Sequence, residues 1–339
     1  MRIDNSRGRQ QQPRGIMKIK RREFLIEASR AAIIGPVLTA TAVSTAVAPS
    51  LASEEAVDVP LPKGGTSRFA QINGIGLHYV SAGSGPVVVI LLHGWPQTWF
   101  AWRETMERLS PRFTVIAPDL RGVGLSEKTP TGYDKRTIAA DICALITHVA
   151  GSRAHVVGHD MGGKAAYMLA HLHPERIEKL VLVDCLIPGT ENMDALRGGA
   201  WHYGFHMAPD IPEMLTKGRE REYIAAQIRA LSYRKDAVAE ASIWEFARHY
   251  ASPGGMTAGF NYYRALRDDA ELAASFEGRR LDMPVLAIGG HHGVGTNLAD
   301  ALRKQAGNLT SVIAEDSGHF VAEEAPDFFY DQVERFLVR

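Results

Sequence analysis

The fold of this chain is decided by residues 154–164, AHVVGHDMGGK. An apolar run that predicts a β-strand leads into the pattern G-x-D-x-G, and helix-forming residues follow as far as Leu172. The glycines allow a sharp turn between strand and helix, which would hold the side chain of Asp160 above the edge of a sheet. The carboxylate would also lie under the positive end of the helix. The stretch therefore predicts a strand, a tight turn and a helix that together present one reactive side chain.

Asp160 is the candidate nucleophile. A carboxylate with the reference pKa of about 3.9 is ionised near neutral pH, so, unlike a hydroxyl, it needs no general base to activate it. Its attack would open a carbon–heteroatom bond by displacement and leave an alkyl ester, which water must then hydrolyse. A serine-type esterase is excluded, because attack of Asp160 on an ester would give an anhydride.

Composition limits the classes of function. The chain has 339 residues, of which 45% are hydrophobic, enough for one large globular domain or for a core with an inserted subdomain. Its 38 basic and 38 acidic residues give zero formal net charge, which argues against a nucleic-acid partner. Cys143 and Cys185 are too few for a disulfide framework and lack metal-ligand spacing, and the sequence leaves their pairing open. No cofactor or metal is expected, and a homodimer is left open.

Residues 1–52 are predicted to be a twin-arginine export signal. The sequence KRREFL at 20–25 precedes an Ala- and Thr-rich apolar stretch at Ala31–Ala48, and small residues near Ala52 suit cleavage. The mature protein would then be periplasmic or secreted, without stable membrane insertion. An uncleaved anchor and a disordered basic tail are the alternatives, although hydroxyl side chains within the apolar stretch weaken the anchor.

Beyond this leader, apolar strand patterns alternate with helical ones, which is typical of a mostly parallel sheet with helices on both faces. Eight strands are predicted, at Phe69–Ile72, Leu77–Ser81, Val87–Leu92, Thr114–Ala117, His155–Val157, Leu180–Val183, Val285–Ile288 and Ser311–Ala314. The strand pattern is absent between Pro188 and about Arg280, where helical segments rich in aromatic residues and His follow one another. The sequence therefore predicts a core at 53–188 and 281–339, with a helical cap inserted at 189–280.

The loop after the third predicted strand has the sequence HGWP, residues 93–96. The backbone N–H of Trp95 and that of Met161 would converge on the oxygen that becomes negative when water attacks the ester. Both are therefore candidate oxyanion-hole donors, and a cis Trp95-Pro96 peptide would help to aim the first of them.

His319, in the sequence SGHF after the last predicted strand, is the candidate base for the hydrolytic water. Its partner acid is often found after the seventh strand, but the loop Gly289–Gly295 contains no carboxylate. Asp184, at the end of the sixth strand, is the replacement, since a buried carboxylate bonded to an imidazole fixes its tautomer and stabilises the imidazolium. The alternative for Asp184 is a residue that only caps the strand end.

Four motifs, HGWP, GHDMGG, LVDCLIP and SGHF, resemble those of the α/β-hydrolase epoxide hydrolases and of the related haloacetate and haloalkane dehalogenases. The resemblance extends from about Ser67 to Leu337. It implies an α/β-hydrolase fold with a mostly parallel eight-stranded sheet and an inserted helical cap, in which Asp160 occupies the nucleophile position. Segments 201–206 and 260–266, and the Gly-His loop after the seventh strand, look like those of the Cif-like secreted epoxide hydrolases.

That resemblance implies a His/Tyr pair from the cap that holds the epoxide oxygen, and by position in the motifs the pair is His202 and Tyr263. Donors there would stabilise the charge that grows on the oxygen as the ring opens. Most relatives outside the Cif-like group use two tyrosines, so Tyr203 is the alternative to His202. Both side chains of the pair could instead serve only packing.

Differences between this sequence and the dehalogenases favour the epoxide hydrolases. Haloalkane dehalogenases have the motif G-x-D-W-G, in which the indole holds the halide. Haloacetate dehalogenases carry arginines at the positions that Met161 and Lys164 occupy in this sequence. The expected reaction is therefore conversion of a small apolar epoxide and water to a vicinal diol, without a cofactor. A haloacid or haloalkane dehalogenase that uses Asp160 is an alternative. Another is a secreted effector or binding protein with a vestigial site, which the intact Asp, His, Asp set disfavours.

Overall fold

The computed structural model describes residues 59–339, so the predicted export signal at 1–52 lies outside the described residues. The described chain contains one eight-stranded sheet in the order β1-β2-β4-β3-β5-β6-β7-β8. The strands are β1 (Thr66–Ile72), β2 (Ile75–Ala82), β3 (Val88–Leu92), β4 (Thr114–Pro118), β5 (Ala154–His159), β6 (Ile177–Val183), β7 (Val285–Gly290) and β8 (Leu309–Ala314).

The sheet is mostly parallel, as predicted. β1 and β2 pair antiparallel, as do β2 and β4, and all other neighbours pair parallel. The fold class and each of the eight predicted strands are confirmed. β1 and β6 begin earlier than predicted, at Thr66 and Ile177, because polar residues near the start of each strand interrupt the apolar pattern.

Helices cover both faces of the sheet. They are α1 (Arg103–Leu109), α2 (Lys135–Ala150), α3 (Asp160–Leu172), α4 (Trp201–Met207), α5 (Ile211–Thr216), α6 (Glu220–Leu231), α7 (Glu240–Ala251), α8 (Gly255–Arg264), α9 (Leu266–Ala274), α10 (Asn297–Leu302), α11 (Val321–Glu324) and α12 (Pro326–Val338). One apolar core packs one face of the sheet against α2 and α3 and includes Ile142 and Tyr167. The other packs the opposite face against α1 and α12, around Met106 and Phe329. Strand β5 is consequently buried at every residue.

Helices α4–α9 lie between β6 and β7 in the chain. Their apolar residues, such as Phe246 and Phe260, join the core on the α2 and α3 side of the sheet. A buried ion pair adds to this packing, because Lys135 Nζ on α2 lies 2.9 Å from the carboxylate of Asp269 on α9. Lys135 also donates to the carbonyl of Tyr262 at 3.1 Å. These contacts hold α8 and α9 against α2.

No helix within residues 59–339 has the length and hydropathy needed to cross a bilayer.

Cys143 and Cys185 are both free thiols, the first half-buried and the second buried. The sequence had left open whether these two residues pair, and the structure shows that they do not.

Candidate active site

Asp160 lies at the turn between β5 and α3. Its backbone is left-handed, with a φ of +48°, which is strained for a residue with a side chain and marks a position held by its surroundings. Gly162, in the first helical turn of α3, allows the sharp connection between β5 and α3. A Cβ at this residue would lie 2.5 Å from the carbonyl oxygens of Leu92 and His93. Only glycine therefore lets the helix start so close to the end of β3.

The Asp160 carboxylate is almost buried, with 8% of the residue exposed. Its Oδ2 accepts a hydrogen bond from the backbone N–H of Trp95 at 2.9 Å. Burial by itself would raise the pKa of this carboxyl, but the positive charges of His319 and Lys164 and the N–H of Trp95 outweigh it and lower the pKa below its usual value. The carboxylate is therefore ionised at neutral pH.

The two predicted donors at the turn differ in their contacts. The Trp95-Pro96 peptide is cis, as the sequence suggested. Met161 is the second residue of α3, so its backbone N–H belongs to the first helical turn and has no acceptor within the helix. Both amides are thus next to the Asp160 carboxyl, one bonded to it and the other at the adjoining helix N-terminus.

His319 and Asp184 form a short contact, with 2.7 Å between His319 Nδ1 and Asp184 Oδ2. Asp184 is fully buried at the end of β6, again with a positive φ, of +38°. Burial would lower the pKa of His319, but its hydrogen bond to Asp184 and the negative charge of Asp160 raise it above the usual value. The imidazole Nε2 lies 3.9 Å from Asp160 Oδ1. This separation exceeds hydrogen-bond length, so Nε2 is free to contact a water beside the carboxyl.

The loop Gly289–Gly295, which contains no carboxylate, instead surrounds the carboxylate of Asp184. Asp184 Oδ1 accepts hydrogen bonds from the backbone N–H groups of Gly290 at 2.8 Å and Val294 at 3.0 Å. A Cβ at Gly293 would lie 2.6 Å from both carboxylate oxygens. The glycines of this loop therefore leave room for an acid supplied by the neighbouring strand.

One cavity of about 290 Å³ brings most of the predicted residues together. Its walls come from the sheet edge, from the loop after β7, and from helices α4, α6 and α8. The predicted site residues among its lining are Trp95, Asp160, Asp184, His202, Tyr263 and His319. Tyr203 lines it as well, so the cavity holds both of the alternatives for the second oxygen donor.

Tyr263 and His202 both line this cavity and lie in edge-to-face contact, with ring centroids 5.8 Å apart and planes at 87°. Burial raises the pKa of Tyr263 well above its usual value and lowers the pKa of His202 to about 4. Both are therefore neutral hydrogen-bond donors near pH 7. Tyr203 lies beside them, with its ring centroid 5.5 Å from that of Tyr263, and burial raises its pKa to about 12.

Residues 87–326 match the family described as alpha/beta hydrolase fold. The chain belongs to the α/β-hydrolase fold family.

This α/β-hydrolase is similar to a soluble epoxide hydrolase of Corynebacterium sp. strain C12, with 37% identity over 285 residues that cover 80% of this chain and 97% of the relative. Among solved structures it is similar to the epoxide hydrolase CorEH, with a TM-score of 0.72 and 35% identity over 81% of this chain and 99% of the other. It is also similar to the Cif epoxide hydrolase from Acinetobacter nosocomialis, with a TM-score of 0.75 and 26% identity over 82% and 90%. The resemblance stated from the sequence is confirmed.

Lys164 of this α/β-hydrolase does not offer a free charge to the cavity. Its Nζ donates to the carbonyl of Leu186 at 2.6 Å and to the carboxylate of Glu191 at 2.5 Å. The side chains of both members of this ion pair are only 1% exposed. The ammonium group of Lys164 is therefore already paired within the protein and is not available to bind a substrate carboxylate.

Two residues that contact the backbone of His319 or its neighbours were not predicted from the sequence. His159 Nε2 lies 2.9 Å from the carbonyl oxygen of His319, and its Nδ1 lies 3.1 Å from the side chain of Gln97. Glu324 is a buried acid that contacts the backbone on both sides of His319. No local pattern in the sequence signals either contact. The only hint is the position of Gln97 and His159 next to residues already singled out.

Proposed function

We propose that this α/β-hydrolase is an exported epoxide hydrolase that forms an ester on Asp160 and releases a vicinal diol. The observation that supports this best is the content of a single cavity: an ionised carboxylate, an imidazole paired with a buried acid, and neutral donors on the cap helices. Such a set matches the chemistry of epoxide opening, which needs a nucleophile on one side of the ring and hydrogen bonds to its oxygen on the other. Relatives named as epoxide hydrolases support the same reaction.

In the first half-reaction Asp160 attacks the less hindered carbon of the epoxide. Because Oδ2 is held by the N–H of Trp95, Oδ1 is the oxygen that forms the new bond. The ring carbon–oxygen bond breaks and its electron pair moves to the oxygen. His202 and Tyr263 hold that oxygen by hydrogen bonds, and one of these donors supplies its proton.

In the second half-reaction His319 removes a proton from a water that attacks the ester carbonyl carbon. The negative oxygen of the tetrahedral intermediate is Oδ2, stabilised by the amides of Trp95 and Met161. The intermediate collapses by breaking the bond from the carboxyl carbon to the alkyl oxygen, which takes the proton from His319 and leaves as the diol. The second proton of the attacking water remains on Asp160 and returns to the donor that protonated the epoxide oxygen, which restores both groups. Asp184 stabilises the imidazolium in between.

Ester formation also prepares His319 for this step. While Asp160 is ionised, its negative charge contributes to the raised pKa of His319. The ester is neutral, so this contribution disappears when the nucleophile has reacted, and the pKa of His319 falls. The imidazole thus becomes a better neutral base at the stage that needs one.

The dehalogenase alternative lacks its expected contacts. A haloacid needs a cation for its carboxylate, and Lys164 is already paired with Glu191 in a buried ion pair. A haloalkane dehalogenase would need an indole at residue 161, where this chain has Met161. Halide release and diol formation, measured on the same purified protein, separate the two activities.

The covalent ester is tested by mass spectrometry of the Asp160 peptide from His319→Gln protein incubated with a panel of epoxides. The adduct should accumulate, because the variant retains the nucleophile and loses the base. Asp160→Asn is the matched control and should give no adduct. An adduct formed with a haloacid but with none of the epoxides would overturn the proposal.

Export rests on residues 1–52. Cell fractionation and N-terminal sequencing of the mature protein test it, with Arg21→Lys and Arg22→Lys together as the variant that should block translocation. A mature protein that starts well before Ala52, or that stays in the cytoplasm, would contradict it.

A catalytic origin of any effector phenotype is tested with Asp160→Ser, which should abolish the phenotype.

A further inference from the structure

Glu324, the last residue of α11, is a buried carboxylate with 1% of the residue exposed. It accepts four hydrogen bonds from backbone N–H groups. Those of Tyr233 at 2.8 Å, Arg234 at 2.8 Å and Gly318 at 3.0 Å bind Oε2. That of Phe320 at 3.0 Å binds Oε1. A carboxylate suits this position because both of its oxygens are acceptors and it carries no donor.

Two of these bonds fix the backbone around His319. Gly318 and Phe320 are its neighbours in the chain, so one side chain holds the loop on both sides of the imidazole. The N–H of His319 itself donates to the carbonyl of Leu231 at 3.1 Å. The backbone of His319 is thus held at three consecutive residues. Its side chain is then directed by Asp184.

The other two bonds come from the connection between α6 and α7. Tyr233 and Arg234 lie in this connection, and the Arg234 guanidinium also donates to the carbonyl of Glu324 at 2.7 Å. The approach is close, since a Cβ at Gly318 would lie 2.5 Å from the backbone nitrogen of Tyr233. Leu231, just before this connection, lines the active-site cavity. Glu324 therefore joins the His319 loop to the helices that cover the cavity.

We infer that Glu324 is a positioning residue for His319, which holds the imidazole where it activates water and couples its place to the α6–α7 connection. The inference rests on the proposed epoxide hydrolase function, in which His319 acts only on the ester. Removing Glu324 should consequently slow ester hydrolysis and leave the attack of Asp160 on the epoxide nearly unchanged. A residue that served only global stability would not distinguish these two steps.

The charge of Glu324 adds a second expected effect. It is one of the negative charges that raise the pKa of His319. The titratable groups that act on this imidazole or feel its charge are Asp160, Asp184, Glu324, His159, His202 and Glu323. Loss of the Glu324 charge lowers the pKa of His319, so the acid limb of the pH profile for ester hydrolysis should move to lower pH.

Glu324→Gln is the test variant and Glu323→Gln is its matched control. Burial raises the pKa of Glu323 to about 8, so this neighbouring carboxyl is mostly neutral at pH 7 and loses little charge on substitution. In single-turnover experiments Glu324→Gln should form the Asp160 adduct within about twofold of the wild-type rate. It should hydrolyse that adduct at least about tenfold more slowly, since a general base contributes about 10²–10⁴-fold. The control should match the wild type in both steps.

Gly318→Ala tests the same junction with Glu324 intact, in case Glu324→Gln does not fold. Its methyl group would meet the backbone of Tyr233, and it should show the same selective loss of hydrolysis. Unchanged hydrolysis in a folded variant, or equal slowing of both steps, would overturn the inference. If wild-type and His319→Gln proteins form no adduct with any epoxide, the proposed function fails instead. In that case the role of Glu324 is tested by measuring the pKa of His319 by NMR titration. The same His319 pKa in Glu324→Gln and Glu323→Gln would refute the inference.

Discussion

Asp184→Asn should separate the two half-reactions while leaving both the nucleophile Asp160 and the base His319 in place. The structure dictates how the new amide would lie. Two backbone N–H groups, from Gly290 and Val294, point at the Oδ1 position and require an acceptor there. The amide oxygen must therefore occupy that position, which turns the NH₂ group towards His319 Nδ1.

A donor at this point selects the wrong tautomer of His319. Nδ1 would have to accept a hydrogen bond, so the proton of the neutral ring would lie on Nε2, the nitrogen that must receive a proton from water. A comparable aspartate-to-asparagine change in a serine protease triad lowers turnover about 10⁴-fold. This factor corresponds to about 5.5 kcal/mol in the barrier. We expect a loss of about 10³–10⁴-fold here, confined to ester hydrolysis, because Asp160 attacks without a base.

Rapid-quench single-turnover measurements with mass spectrometry of the Asp160 peptide follow both steps in one experiment. Asp184→Asn should form the adduct at nearly the wild-type rate and then retain it. Asp141→Asn is the control, since Asp141 is an equally buried carboxylate paired with Arg121 at 2.8 Å. It should lower the melting temperature without prolonging the life of the adduct. Wild-type hydrolysis in Asp184→Asn, or an adduct equally long-lived in Asp141→Asn, would refute the role assigned to Asp184.

Three further predictions concern the cavity. Tyr263→Phe should slow adduct formation by about 10²–10³-fold, because a donor to the epoxide oxygen is lost. His202→Gln and Tyr203→Phe are compared with it, and the one that slows adduct formation to the same extent identifies the second donor. Gly293→Ala should slow ester hydrolysis selectively, because its methyl group would lie 2.6 Å from the Asp184 carboxylate; rates equal to wild type would contradict this. The lowered pKa of Asp160 predicts that the rate of adduct formation stays constant from pH 7 down to about the usual aspartate pKa of 3.9 and falls only below it, as stopped-flow traces across pH would show.

The sequence determined the fold through features that act over a few residues. The apolar runs, the glycines beside Asp160 and the turns between strand and helix are local, so each of the eight strands could be predicted from its own segment. The start of β1 was predicted too late because its first residues are polar, so hydrogen bonding to β2 rather than an apolar pattern makes them a strand.

The tertiary structure alone decided which side chains act together. The contact of His319 with Asp184 spans 135 residues, and that of Glu324 with Tyr233 spans 91. By its position in the motif Lys164 could have bound a substrate carboxylate, but it is already paired with Glu191 in a buried ion pair. The physical reason is that hydrogen bonds and buried charges depend on distance in space, and packing brings these segments together. A local pattern records the backbone conformation, whereas the partner of a buried polar group is known only from the folded chain.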